Sequence, residues 1–320
     1  MTTCLSTTAV VLQAPEKLGL RDLPLTPLGP RDVLVEVAYS GVSAGTERLL
    51  WKGEMPTFPG MGYPLVPGYE SVGVVSDAGE AAKARIGDAV FVPGARCYGE
   101  VRGLFGGSAR RVVLDADRAT TIDRKLGRDG VLLALAATAY HALAQPDAKP
   151  PEVIVGHGVL GRLMARIATA IFATPPIVWE TSEHRRDGAE GYAVVDPSDD
   201  DRKGLAALYD VSGDGSLLDS LIARLERGGQ VVLAGFYSQP LQFAFPPAFM
   251  REARLRVAAE WNPADLSAVL GLIEAGDLSL KNLVTHCEDA STSKQTDRAY
   301  RTAFDDPDCL KMVLDWSGVS

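Results

Sequence analysis

The sequence predicts two parts of different class: an all-β barrel or sandwich, then an α/β part built as a doubly wound parallel sheet. Three observations point there. The chain has 320 residues, enough for two domains at about 150 residues each. Residues 1 to 120 or so break into short β-rich runs punctuated by Gly and Pro, the texture of a small β-fold. After Asp129 apolar strands alternate with helical stretches, and a Gly-x-Gly-x-x-Gly motif lies among them.

The elements follow in order. Val33–Ala38, Tyr69–Val75, Ala89–Pro93 and Ala109–Leu114 read as strands of the first part. Val131–Ala144, rich in Ala and Leu, reads as an apolar helix. Strand Val153–Val155, helix Val159–Ala173 and strands Ile177–Trp179 and Ala193–Val195 come next. The segment Asp196–Leu208 has room for little more than one helix. Tyr209–Ser212, Gln230–Gly235 and Leu255–Ala259 complete six strands, with a helix over Ser216–Arg227. The expected domains are 1–125 with 262–320, and 126–261 for dinucleotide binding.

Composition removes several function classes. A net charge of −9 argues against a nucleic-acid partner, because phosphate binding needs a basic surface. With 46% hydrophobic and 23% charged residues the chain is ordinary globular protein. No apolar run reaches the length of a membrane span: Val131–Ala144 is short and carries His141, and Leu163–Trp179 contains Arg166 and Pro175-Pro176. No basic region precedes the apolar residues of Met1–Gln13, so no signal peptide is expected and the cytoplasm is the expected compartment. Cys4, Cys97, Cys287 and Cys309 form no CxxC pair and read as free thiols.

The motif Gly156-His157-Gly158-Val159-Leu160-Gly161 follows an apolar strand and opens a helix, the context a dinucleotide site requires. Gly156 permits the tight turn, Gly158 the approach of a pyrophosphate, and Gly161 close packing of helix on strand. The helix N-terminus offers free N–H groups to the phosphates. Glu180 ends the next strand, where an acid accepts hydrogen bonds from ribose hydroxyls and repels a 2′-phosphate. NAD is therefore the expected cofactor. Arg185 and Arg186 pull towards NADP. His157 is expected to face phosphates or solvent, and His141 to be a satisfied core or interface histidine.

Five segments, in order along the chain, carry a resemblance. They are Leu65-Val66-Pro67-Gly68-Tyr69-Glu70-Ser71-Val72-Gly73-Val74-Val75, Ile86-Gly87-Asp88-Ala89-Val90, Gly106-Gly107-Ser108-Ala109, Ala137–Leu143 and Gly228–Gly235. Together they resemble the medium-chain dehydrogenase/reductase family. The resemblance implies a GroES-like β-barrel catalytic domain, completed by the C-terminal segment, and a compact Rossmann domain, with the active site in the cleft between them. It also implies nicotinamide contacts from Thr138, Ser212, Gly235 and Phe236. Zinc members place Cys and His where this chain has Ser43 and Tyr69, and both are poor zinc ligands. The four-Cys structural loop is missing as well, so no zinc is expected. Ser40-Gly41-Val42-Ser43-Ala44-Gly45-Thr46-Glu47 further resembles zinc-free members that oxidise the hydroxyethyl side chain of a chlorin-type tetrapyrrole to acetyl.

Hydride transfer from a secondary carbinol to nicotinamide also requires loss of the hydroxyl proton. Without zinc the candidates are Tyr69, Glu70, Ser43, Thr46 and Glu47, with Tyr69 as a relay helped by a nearby cation. The alternatives are a barrel-core Tyr69 and a helix cap at Thr46 and Glu47. Trp51, Phe58 and Tyr63 lie on an apolar stretch, Arg48–Tyr63, without helical or strand period. They are expected either to line a wide apolar cleft for a macrocycle or to fold under the barrel. Rival readings are a zinc-free NADPH quinone or enoyl reductase and a catalytically silent nucleotide-binding protein. A homodimer through the Leu255–Ala259 edge is expected from family habit.

Overall fold

The computed structural model describes residues 5–319; Cys4 lies outside them. The chain forms two compact units. One runs to Ala134 and resumes at Leu283, and the other is Leu135–Asn282.

In the first unit the core of a seven-stranded sheet is the long strand Asp32–Val42. Val33, Val35 and Val37 are fully buried, and Glu36 between them turns outward to Arg110 and Arg111. This period of two is what a half-buried strand requires. Ser71–Ala78 and Arg111–Asp115 pair antiparallel with it on its two edges. The strand Met312–Asp315 returns from the C-terminus and pairs antiparallel with its end, Met312 opposite Val42 and Leu314 opposite Ser40. A second sheet of Ser6–Ala14, Lys17–Pro24, Leu65–Val66 and Arg102–Gly103 completes the β-structure. Tyr69 and Glu70, expected inside a strand, lie in the turn before Ser71–Ala78.

Helix Ser293–Asp305 packs on this unit through Thr296, Ala299, Tyr300, Ala303 and Phe304, one apolar stripe at helical spacing. Helix Thr46–Lys52 does the same through Glu47, Leu50 and Trp51 and ends at Gly53 in the left-handed region, φ 72°.

The second unit is a six-stranded parallel sheet in the order Ala193–Val195, Ile177–Trp179, Val153–Val155, Leu205–Asp210, Leu225–Leu233, Arg254–Val257. That order, reversing direction beside Val153–Val155, is the doubly wound Rossmann arrangement, whose ligand site lies at the reversal. Helix Val159–Ile171 covers it with a strongly one-sided apolar face.

Several expected elements differ. The helix after Ile177–Trp179 is the single turn Glu183–Arg186, and Asp196–Leu208 holds only the short turn Pro197–Asp199. The helix expected over Ser216–Arg227 is Leu218–Arg224, because the strand already begins at Leu225. Helix Pro263–Ala275, expected with the C-terminal tail, belongs to the parallel-sheet unit, whose boundary falls at Asn282 rather than 261. The contacts explain it: Asp265 meets His141 Nδ1 at 2.8 Å, and Arg166 donates to the carbonyls of Ser279 and Lys281. Among the described residues no helix is long and apolar enough to cross a membrane.

Candidate active site

The first unit gathers all five proton-handling candidates. Ser43 sits in the turn between strand Asp32–Val42 and helix Thr46–Lys52. Its Oγ accepts a hydrogen bond from the Tyr69 hydroxyl at 2.8 Å and, longer at 3.4 Å, from the Thr46 N–H. The Tyr69 turn is possible because Gly68 has φ 95° and a Cβ there would lie 2.4 Å from Ser108 Oγ. Glu47 is 2% exposed. Its Oε1 accepts the Ser43 N–H at 3.2 Å and its Oε2 the Tyr300 hydroxyl at 2.9 Å. Thr46 is the first helical residue, with Gly45 before it as the cap, so neither Thr46 nor Glu47 caps the helix.

Glu70 is fully buried against the ammonium of Lys311, itself 2% exposed. Gly41 makes room for this pair, since a Cβ on it would sit 2.4 Å from Glu70 Oε2. The returning strand register brings Lys311 here. Tyr300 arrives from the C-terminal helix, 253 residues from Glu47 in sequence. Sequence reasoning missed both, because nothing local marks them. Lys311 sits in an ordinary polar stretch, and Tyr300 on a stripe that reads as core.

Two buried carboxylates thus face one buried ammonium. Burial, then the Glu70 carboxylate, pushes Glu47 up to about 7, against the opposing hydrogen bonds of Tyr300 and Ser43. Burial also raises Glu70, and Lys311 opposes it. Tyr69 is raised by burial and by Glu70. The cation expected beside Tyr69 is present, but its charge goes to Glu70, so Tyr69 is a phenol that donates rather than a phenolate.

The donor set at these positions does not fit zinc. Ser43 and Tyr69 are hydroxyls hydrogen-bonded to one another, and Glu70 is held by Lys311. Among the described residues no three His, Cys, Asp or Glu side chains group as metal ligands. Cys97, Cys287 and Cys309 form no disulfide.

The expected substrate residues need correction. The stretch from Arg48 is helical to Lys52, with Glu47, Leu50 and Trp51 on one buried face. Trp51 is 6% exposed, stacked on Tyr300 with ring centroids 6.5 Å apart, and Arg301 lies 5.2 Å from its ring centroid. It is core of its own unit rather than the wall of an open cleft. Phe58 and Tyr63 are half-buried on the same core, and the Tyr63 hydroxyl donates to the Leu50 carbonyl at 2.5 Å.

In the second unit the glycine turn has the expected construction. Gly156 has φ 102°, and a Cβ on it would meet the Ser212 backbone at 3.3 Å. A Cβ on Gly161 would lie 1.9 Å from the Gly156 carbonyl oxygen, so only glycine lets helix and strand close. A Cβ on Gly158 would meet nothing within 4 Å, which leaves the turn open for a ligand. Val159 and Leu160 begin the helix, where the first N–H groups have no partner within the helix. This backbone cradle fits a dinucleotide pyrophosphate.

Glu180 lies at this turn. Its Oε2 accepts the His157 N–H at 3.0 Å and its Oε1 the Ser182 N–H at 2.9 Å. Arg186 is tied to the Glu180 and Thr181 carbonyls and to Asp196. The Arg185 carbonyl accepts from His157 Nδ1 and from Arg162. Ser212 donates its N–H and hydroxyl to Asp210 Oδ1, the Gly235 N–H donates to the Asp210 carbonyl, and Phe236 is half exposed. Thr138 is half-buried on helix Leu133–Leu143.

The expectation that His157 faces phosphates or solvent is overturned. Its ring is fully buried, Nδ1 donating to Arg185 at 2.6 Å and Nε2 accepting from the Tyr192 hydroxyl at 2.8 Å. Burial pushes it down to about 4, so it is neutral. Only its backbone belongs to the turn. Tyr192 was missed because no motif spacing links it to the glycines.

A closed parallel sheet with this turn and a β-barrel with the Ser43–Tyr69 pair define an oxidoreductase, and the chain belongs to the medium-chain dehydrogenase/reductase family. Residues 29–124 match the alcohol dehydrogenase GroES-like domain. The chain is 55% identical over 315 residues to the 2-desacetyl-2-hydroxyethyl bacteriochlorophyllide A dehydrogenase of Cereibacter sphaeroides, covering 97% of this chain and 98% of that one. It is 54% identical over 313 residues to the protein of the same name from Rhodobacter capsulatus, covering 98% and 99%. Its fold is similar to that of 2R,3R-butanediol dehydrogenase from Bacillus subtilis, with a TM-score of 0.82, 20% identity and coverage of 97% and 99%.

Proposed function

We propose that this protein oxidises the hydroxyethyl side chain of a bacteriochlorophyllide to acetyl, with NAD as hydride acceptor and without zinc. The substrate follows from the two full-length relatives above. The observation that carries the zinc-free chemistry is the Ser43–Tyr69 hydroxyl pair, standing at the positions of metal donors beside the Lys311–Glu70 ion pair.

In the reaction the carbinol carbon loses a hydride, its hydroxyl loses a proton, and the C–O bond becomes a carbonyl. Bound nicotinamide supplies the hydride acceptor. Tyr69 offers its phenol and Ser43 its hydroxyl to the substrate oxygen and orient it. Buried acidic groups keep Tyr69 protonated, so the proton leaves by hydroxyl exchange rather than to a standing phenolate.

Glu180 supports NAD over NADP. Two backbone N–H groups fix its carboxylate at the turn, where it would accept ribose hydroxyls and repel a 2′-phosphate. Arg186, bound elsewhere, is not free to answer that phosphate. The unpaired edge strand Arg254–Val257, with Val257 74% and Phe245 67% exposed, supports pairing with a second copy as a homodimer; ultracentrifugation would show a dimer, and a monomer contradicts it.

The test mixes purified protein with NAD and hydroxyethyl bacteriochlorophyllide. The expected result is NADH formation together with a shift of the pigment's long-wavelength band, because the new acetyl group conjugates with the ring. Quinone reduction by NADPH with no pigment oxidation contradicts the reading.

A further inference from the structure

Glu47 lies in a cluster that is one cation short. The groups facing it are Ser43 in the preceding turn, Tyr300 on helix Ser293–Asp305, Tyr69 and Glu70 in the turn before Ser71–Ala78, and Lys311 before the returning strand. The single ammonium sits on Glu70, whose Oε1 is buried without a hydrogen-bond partner. Glu47 therefore has only hydrogen bonds to support its charge, one from the Ser43 peptide and one from Tyr300.

Those two bonds respond differently to a proton. An ionised carboxylate accepts both. A protonated one turns an oxygen into a donor and gives up an acceptor position. The Tyr300 hydroxyl has an alternative, Ser108 Oγ at 3.5 Å. The Ser43 N–H is fixed by its peptide plane and has none among its printed contacts.

We propose that Glu47, held by Tyr300, is the positioning residue of the site: in its ionised form it anchors the Ser43 peptide and so fixes the Ser43 hydroxyl against Tyr69. The inference rests on the alcohol oxidation proposed above. Glu47 touches neither substrate nor cofactor in this role. The C-terminal helix becomes, through Tyr300, part of what sets the geometry of the proton-handling turn. Burial that places Glu47 at about 7 means the anchored form is gained across neutral pH.

The experiment compares wild type, Glu47→Gln and Tyr300→Phe as full chains, in two ways. Turnover against pH is expected to fall in wild type on the acid side of about 7. In Glu47→Gln, kcat should drop about tenfold or more, as a misplaced site requires, with KM for NAD unchanged and the acid limb gone. In Tyr300→Phe the limb should move to higher pH, because the hydroxyl that supports the carboxylate is lost. Infrared titration of the resting protein provides the second readout: a carboxyl band titrating near neutrality in wild type and absent in Glu47→Gln. A Glu47→Gln enzyme with the wild-type limb, or a Tyr300→Phe enzyme with an unmoved limb, overturns the proposal. If wild type oxidises no hydroxyethyl pigment, the functional reading fails, and the infrared titration alone decides this one: a Glu47-dependent band supports it and its absence overturns it.

Discussion

The two functional regions are built from opposite materials. The turn at Gly156–Gly161 is made of backbone and of side chains that are missing; its key dimensions are 1.9 Å between a would-be Cβ on Gly161 and a carbonyl, and open space over Gly158. The Ser43–Tyr69 region is made of buried charge, with Glu47 and Glu70 confronting Lys311. The first grips a ligand with preformed N–H groups that need no desolvation of charge. The second holds charges away from water, which is costly unless each is paired. A backbone site should tolerate pH and fail sterically; a buried-charge site should tolerate little change in charge and respond to pH.

The comparison is most easily broken at Lys311. Lys311→Met leaves two buried carboxylates unpaired and should cost about 3–5 kcal/mol of stability, read by urea denaturation. The double variant Lys311→Met with Glu70→Gln should recover much of it. Recovery of nothing would mean the ammonium has another role.

Glu47 gives the next effect, and its sign is opposite to that of an ordinary carboxylate. Its folded value, about 7, lies above the reference 4.5, so the folded state holds a proton that the unfolded state has released. Its contribution to stability is then lost as pH rises from 4.5 to 7. Glu47→Gln should gain stability relative to wild type across that window, by up to about 3 kcal/mol at 1.36 kcal/mol per pH unit. Equal pH dependence in the two proteins would contradict the buried-charge picture.

The glycines sharpen the other side. Gly161→Ala should cost about 1–3 kcal/mol by forcing helix and strand apart. Gly158→Ala should leave stability within about 0.5 kcal/mol yet raise the dissociation constant for NADH, measured by fluorescence titration. Glu180→Ala should weaken NADH by about tenfold, one charge-assisted hydrogen bond's worth, and NADPH less.

Legibility in the sequence divides along the same line. The Rossmann unit is readable because its signals are local: apolar strands of a few residues, glycines at fixed offsets and an acid at the end of the next strand. Gly161 and Glu180 lie where those offsets place them. The catalytic turn is half readable. Ser43, Thr46, Glu47, Tyr69 and Glu70 come together as expected, but Lys311 and Tyr300 reach it only through the register of a returning strand and the stripe of a distant helix. Trp51 was misplaced because Gly and Pro flank the stretch and hide the i, i+3, i+4 pattern of Glu47, Leu50 and Trp51. His157 was misplaced because a polar residue inside a phosphate turn reads as exposed, whereas Tyr192 and the Arg185 carbonyl satisfy it in the interior. The Pro263 helix was assigned to the wrong unit because its partner His141 lies far back in the chain.

The account turns on hydroxyls serving where relatives of this fold use a metal. The direct measurement is turnover of hydroxyethyl bacteriochlorophyllide with NAD by protein dialysed against a strong chelator, with zinc content determined on the same sample. The account predicts undiminished turnover at far less than one zinc per chain. Activity lost on chelation and restored by added zinc would contradict it.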